Sequence, residues 1–497
     1  MSIAAVNGIE LEYQTFGHPN DPAILLISGQ GSSMDGWDIE LCRRIAAGGR
    51  YVIRYDQRDT GGSTSYPTDQ PPPYGLAELG EDGLALLAEL DHQAAHVVGI
   101  SQGGAVAMYL AVRHPDRVRS LTLIATGAGS PGSDGLPPMS DRLQAYFSEP
   151  NSADLDSREG YVQHLIAVET ALSAVGGVDA DRIRAAAEAT YDRSADVRRA
   201  FNHRRMGGAG LDLRAALGTI TAPTLVIQGA EDELFAPGHS AVLVAEIPGA
   251  KLITLTGMGH QTPPASTWAE FVPALLKHTS GGWDAEAGRL ARRATEFGEA
   301  PTAWFDRIYQ AGDAGTVDMP WNRSAPQPLL VDWLAGERGH GRTAVVVGCG
   351  LGADAEFLAE LGWDTLGFDV SPNAIRLAEQ RHPGSKVKYR AASLFQLPSG
   401  WRRAFALVVE IYTVQALPRE VRADATAAVG SLVAPGGRLL VVQGVHGRWP
   451  GEADLPPWPL TAEEVAAFGQ DGLSAVDISQ IGADEQVRWR GVFQRSA

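Results

Sequence analysis

Two α/β units in tandem, the first carrying a helical cap, are the fold class this sequence predicts. Three observations carry that reading. Short apolar, β-rich runs alternate with helical patterns through most of the chain, as parallel sheets covered by helices require. The alternation stops between Thr126 and Ala222 and resumes at Pro223. It breaks again at Gly281–Gly282 and restarts with a strand at Ala344–Val347. At 497 residues the chain exceeds what one hydrophobic core organises, which suits units at 1–279 and 284–497.

In the first unit the strand candidates are Ile24–Ile27, Tyr51–Tyr55, Ala95–Ile100, Leu121–Ala125, Thr224–Gln228 and Lys251–Thr254. The interruption opens on the Gly/Pro/Ser-rich loop Gly127–Pro138 and continues as an Ala/Arg/Glu-rich helical pattern. Residues 128–218 therefore read as a cap inserted into a sheet. After a last helix, Trp268–His278, come the Gly-Gly break, a helix from Asp284 and a Trp-bearing irregular segment through Pro328. The second unit then offers strands at Ala344–Val347, Trp363–Phe368, Ala406–Val409 and near Leu439–Val442, with a terminal hairpin from Ala475–Ile481 and Arg488–Gln494.

Apolar content of 44% with 20% charged residues is that of a globular protein. A formal charge of −18, with no stripe of basic residues, excludes nucleic acid as the main partner, because phosphates need a basic footprint. Cys42 and Cys349 read as free thiols of a cytosolic chain. Met1–Tyr13 lacks the charged start and apolar run of a signal peptide, and Ala23–Ile27 is too short to span a membrane. A cytoplasmic protein working on small molecules, without membrane or nucleic-acid partners, is expected. Homo-oligomerisation is left open.

Gly99-Ile100-Ser101-Gln102-Gly103 fits the G-x-S-x-G nucleophile elbow, and its setting strengthens the match. A buried strand precedes it and an apolar-periodic helix, Ala105–Arg113, follows. A serine hydroxyl needs a base, and the base needs an orienting acid. In the order Ser…Asp…His, Asp232 follows the strand Thr224–Gln228 and His260 follows the strand near Leu252–Leu255. Both lie at carboxyl ends of parallel strands, where open α/β sheets place their sites. Glu231 and Glu233 rank below Asp232 as the acid, and His239 below His260 as the base. The oxyanion donors are expected from the backbone N–H groups of Gln102 and of Gln30, in the loop Ser28-Gly29-Gln30-Gly31.

These residues carry a resemblance. Tyr55-Asp56-Gln57-Arg58-Asp59-Thr60-Gly61, His96-Val97-Val98-Gly99-Ile100-Ser101 and Glu231-Asp232 with Pro237 before His260 make residues 1–278 similar to α/β-hydrolases of the aclacinomycin methylesterase type. The resemblance implies an α/β-hydrolase fold and a serine hydrolase acting on an ester. It covers the core and is weak over the cap, and Arg58-Asp59 stands where most relatives carry Arg-Gly.

In the second unit, Thr343–Val347 feeds the glycine loop Gly348-Cys349-Gly350-Leu351-Gly352 and a helix from Ala353. Glycines there let backbone approach a ligand at a helix N-terminus. The next strand ends in Asp369, an acid suited to a ribose diol. Gly348, Gly350 and Ala353 also satisfy the dinucleotide pattern G-x-G-x-x-A, so a nicotinamide or flavin domain competes with an adenosylmethionine domain. The strand ending at Glu410-Ile411-Tyr412-Thr413, the turn and strand Val433–Val442, and the terminal hairpin favour adenosylmethionine.

Pro320-Trp321, the glycine loop, Asp369-Val370-Ser371-Pro372 and Glu410-Ile411-Tyr412 make residues 301–497 resemble class I methyltransferases of the thiopurine methyltransferase-like group, with a Rossmann-like fold. That resemblance implies that Gly348, Gly350, Gly352, Asp369 and Val370 hold S-adenosyl-L-methionine, that Ser393 and Leu394 flank its adenine, and that Glu410 lies near its methionine end. Cys349 reads as a packing residue, and Trp304 and Trp321 as core or cofactor lids. No carboxylate/His cluster has metal-ligand spacing, so no metal is expected. The sequence thus points to a serine ester hydrolase fused to a small-molecule methyltransferase. A catalytically silent half, or a dinucleotide-dependent second half, remains the alternative.

Overall fold

In the computed structural model, residues 1–149, 153–174, 178–448, 456–483 and 486–497 are described. They form two compact units, Met1–Thr279 and Ser280–Ala497. Cap residues 150–152 and 175–177 lie outside the described residues.

The strands of the first unit are β1 (Ser2–Val6), β2 (Ile9–Phe16), β3 (Ala23–Ile27), β4 (Tyr51–Tyr55), β5 (Ala95–Ile100), β6 (Val118–Ile124), β7 (Thr224–Gly229) and β8 (Lys251–Leu255). They make one sheet in the order β1-β2-β4-β3-β5-β6-β7-β8. The pairs from β4 through β8 are parallel, and β1–β2 and β2–β4 are antiparallel. Strand alternation splits the core across the two faces: Leu25, Ile27, Ile53 and Val97 pack on one, Ile24, Leu26, Val52 and Val98 on the other. The cap contains the helices Asp141–Ser148, Arg158–Leu172 and Ala180–Arg193 and a 3₁₀ run Val197–Arg204. The β1–β2 hairpin escapes the sequence reading, although Asn7-Gly8 signals it. Both residues adopt positive φ, 50° and 75°, as a tight hairpin turn demands.

The second unit comprises β9 (Thr343–Val347), β10 (Asp364–Asp369), β11 (Lys388–Ala391), β12 (Phe405–Ile411), β13 (Val433–Gly444), β14 (Leu473–Ile481) and β15 (Arg488–Arg495). The order is β11-β10-β9-β12-β13-β15-β14, with β15 antiparallel to both neighbours. The terminal hairpin therefore folds back so that its second strand lies inside the sheet. The segment expected to be irregular before Pro328 holds a helix, Ala303–Asp313. Trp304, Ile308 and Tyr309 form its buried face against Ala287 and Leu290 of the helix Trp283–Glu296. Tertiary packing makes that helix where its aromatic, Gly-bearing sequence gives little propensity. Among the described residues no helix is long and apolar enough to cross a membrane.

Candidate functional site

Ser101 sits between β5 and the helix Gln102–Arg113 with φ 53° and ψ −120°, a backbone state a side-chain-bearing residue adopts only when its surroundings force it. The flanking glycines permit this turn. A Cβ at Gly99 falls 2.1 Å from the Gly103 carbonyl oxygen, and one at Gly103 falls 2.4 Å from the Ile27 oxygen. Ser101 N–H donates to the Ile124 carbonyl at 3.0 Å, which fixes the turn to β6.

His260 Nε2 lies 3.0 Å from Ser101 Oγ, and His260 Nδ1 lies 3.1 Å from Asp232 Oδ2. The ionised carboxylate only accepts, so Nδ1 carries the proton and Nε2 faces the serine as the acceptor. The other Asp232 oxygen accepts the N–H groups of Leu234 and Phe235 at 2.9 and 2.8 Å, which locks the carboxylate. His260 N–H donates to the cap carbonyl of Leu172 at 2.7 Å, and the Phe235 ring stacks on the imidazole at 5.4 Å. The rival groups are engaged elsewhere. Glu231 accepts the N–H groups of Gly257 and Met258, Glu233 holds Ser140 and Arg142, and His239 bonds the Pro137 carbonyl. The Gln30 and Gln102 side-chain amides both reach the carbonyl oxygen of His203 in the cap, at 3.4 and 3.3 Å.

In the second unit Gly348, Gly350 and Gly352 all adopt positive φ, at 61°, 52° and 93°. Side chains there have no room: a Cβ at Gly348 meets Thr413 Oγ1 at 2.3 Å and one at Gly352 meets the Tyr389 hydroxyl at 2.2 Å. Asp369, at the carboxyl end of β10, accepts Gly350 N–H at 3.0 Å and Ser371 N–H at 2.9 Å. Burial pushes its carboxyl up to about 6. A cavity of about 190 Å³ opens beside this loop, lined by the three glycines, Asp369, Val370, Ser393 and Leu394. Its other walls include Trp283, Trp304, Phe305, Tyr309, Trp321 and Tyr412, which sequence reasoning left unassigned or split between core and lid. Trp304 is 2% exposed and lies on the cavity wall. Its buried indole N–H has no hydrogen-bond partner among the described residues.

Glu410 is placed differently from expectation. Its fully buried carboxylate accepts the N–H groups of Thr413 and Val414 at 2.8 and 2.9 Å and the amide of Gln443, and it is absent from the cavity wall. It shapes the Thr413–Val414 turn from beneath, and burial pushes its carboxyl up to about 7. Ser393 accepts the Phe395 N–H and caps the turn Leu394–Gln396. Among the described residues no group of three or more His, Cys, Asp or Glu side chains is arranged to hold a metal.

The alpha/beta hydrolase fold family matches residues 22–262, and the methyltransferase domain family matches residues 344–437. Rhodomycin D methylesterase of Streptomyces sp. (strain C5) is 32% identical over 290 residues, 54% of this chain and 95% of that protein. The rhodomycin D methylesterase of Streptomyces peucetius is 31% identical over the same shares. A crystal structure of a hydrolase from Pseudomonas aeruginosa PA01 is 30% identical and covers 56% of this chain and 97% of its own, with a TM-score of 0.41. The chain belongs to the alpha/beta hydrolase fold family, and its second unit carries a methyltransferase domain. It is a fused hydrolase and methyltransferase.

Proposed function

We propose that residues 1–279 form a serine esterase that cleaves small-molecule carboxylic esters, methyl esters foremost, and that residues 284–497 methylate a small molecule. The unbroken hydrogen-bond chain from Asp232 through His260 to Ser101, at 3.1 and 3.0 Å, carries the first reading. In it, His260 Nε2 takes the Ser101 proton as Oγ bonds the ester carbonyl carbon, and then returns it to the departing alcohol. Water activated by the same nitrogen opens the acyl-serine and frees the acid. Asp232 holds the Nδ1–H tautomer and stabilises the imidazolium. The N–H groups of Gln30 and Gln102 stabilise the oxyanion. The methylesterase relatives support a methyl ester as the bond cleaved.

In the second unit the residues fit S-adenosyl-L-methionine. The cradle admits no side chain at Gly348 or Gly352, which leaves the backbone there open to close approach by a ligand. When bound, this cofactor supplies an electrophilic methyl group. The Asp369 carboxylate has lone pairs left after Gly350 and Ser371 to accept ribose hydroxyls, and the aromatic walls keep water from the reacting atoms. Ser101→Ala in the full chain is expected to abolish hydrolysis of p-nitrophenyl acetate and leave calorimetric binding of adenosylmethionine unchanged. Near-wild-type hydrolysis removes Ser101 as the nucleophile. Binding of NADH with none of adenosylmethionine overturns the transferase reading.

A further inference from the structure

The Gln30 N–H comes from the loop Ser28-Gly29-Gln30-Gly31 and the Gln102 N–H from the start of the helix Gln102–Arg113. A residue that touches both segments belongs to the cap. His203, 2% exposed, lies at the end of the 3₁₀ run Val197–Arg204. Gly31 N–H donates to its Nδ1 at 3.0 Å, and its Nε2 lies 2.7 Å from the Arg58 carbonyl oxygen. Its own carbonyl oxygen takes the Gln30 and Gln102 side-chain amides. A backbone N–H only donates and a carbonyl only accepts, so the ring is the neutral Nε2–H tautomer. Burial pushes its pKa down, which keeps it so.

The fit around this contact is tight. Gly31 has φ 69°, and a Cβ there falls 3.2 Å from the Ala200 carbonyl oxygen of the same cap run. The run is docked by Asn202, which is fully buried and donates to Asp59 Oδ2 at 3.0 Å and to the Tyr66 carbonyl at 3.1 Å. Asp59 also accepts the Tyr74 hydroxyl and the Tyr66 N–H. Asp59 itself sits at φ 65°. The Arg58-Asp59 pair is thus the dock for the cap segment: the Arg58 carbonyl grips His203 and the Asp59 carboxylate grips Asn202.

We infer that His203 is a positioning residue of the esterase, through which the seated cap sets the oxyanion loops. This rests on the Ser101 reading above. A cap displaced from Arg58-Asp59 removes the acceptor that aims Gly31 and the carbonyl that ties Gln30 to Gln102. The cap then governs turnover as well as the shape of the substrate pocket.

The test compares His203→Ala, His203→Asn and His203→Gln in the full chain, with p-nitrophenyl acetate as substrate and melting temperature recorded for each. Asn places an acceptor near the Nδ1 position for Gly31 but falls short of Arg58. Gln reaches Arg58 with a donor and leaves Gly31 unpaired. His203→Ala is expected to lower kcat about 10- to 100-fold with KM within about threefold, because the lost term acts on the transition state. His203→Asn should recover most of kcat despite a lower melting temperature, whereas His203→Gln should keep stability and not kcat. Wild-type kcat in His203→Ala, or kcat that tracks melting temperature across the three, overturns the inference. Ser101→Ala run alongside separates the two failures. If it stays active the esterase reading falls, and if it is dead while the His203 variants are normal only the positioning role falls.

Discussion

The Asp369 carboxylate already accepts two backbone N–H groups, and burial holds its pKa near 6, above the usual carboxylate range. Only the ionised form offers free lone pairs on both oxygens to ribose hydroxyls. Affinity for adenosylmethionine is therefore expected to rise between about pH 5 and about pH 7.5, as the proton leaves. Asp369→Asn should flatten that profile and weaken binding by about tenfold or more at the upper end, as loss of one charged hydrogen bond implies. Isothermal titration at the two pH values checks both; an unchanged slope in Asp369→Asn removes the carboxylate from the binding site. Residues of this kind are legible in sequence because a strand end fixes which edge of the sheet they reach. Glu410 shares that address, yet its side chain turns beneath the Thr413–Val414 turn. Strand-end position says nothing about which neighbours a carboxylate finds.

The cap is held by side chains no motif announces. Arg193, at the end of the helix Ala180–Arg193, bridges Glu12, Asp35 and Asp56, which are 14%, 6% and 0% exposed in their side chains. Burial pushes the Asp56 carboxyl up against the pull of Arg193. Arg193→Met leaves those carboxylates facing one another without their bridging cation, and breaking a buried pair in this way costs about 3–5 kcal/mol. A urea midpoint lowered accordingly is expected, with more of that loss recovered at acid pH than wild type shows, because Asp56 can then take up a proton. An unchanged midpoint shows that the bridge contributes nothing. The cap insertion itself was legible, since the strand rhythm stops at Thr126 and resumes at Pro223. Its anchor was not, because Arg193 and Glu12 stand far apart in sequence and meet only across the fold.

At the scale of the whole chain, one buried group in each unit answers pH in the opposite sense to the other. His96, buried in β5, is pushed down to about 3 by burial, so between about pH 6.5 and 3 the unfolded chain takes up a proton that the folded one refuses. That contribution to the first unit falls on acidification. Glu410 runs the other way. Between about pH 4.5 and 7 the folded second unit keeps a proton that the unfolded chain has released, so stability falls as pH rises. Glu410→Gln keeps an acceptor for Thr413 and Val414 and carries no charge. The variant should melt above wild type at about pH 8 and close to it at about pH 5 by scanning calorimetry. A wild-type second unit indifferent to that change shows that Glu410 is ionised throughout.

What the sequence determined by itself were the features written locally: the elbow around Ser101, the glycine loop at Gly348–Gly352, the short continuous apolar runs that force two covered sheets, and the break near Gly281–Gly282. Each depends on a few adjacent residues whose backbone demands or apolar spacing admit few alternatives. Only the tertiary structure decided the helix Ala303–Asp313, the inward turn of Glu410 and the contact of His203 with Gly31. Those depend on hydrogen bonds and packing between segments far apart in sequence, 172 residues in the case of His203 and Gly31. Burial decides them, because an N–H or carboxylate removed from water must take whatever partner the fold brings within reach.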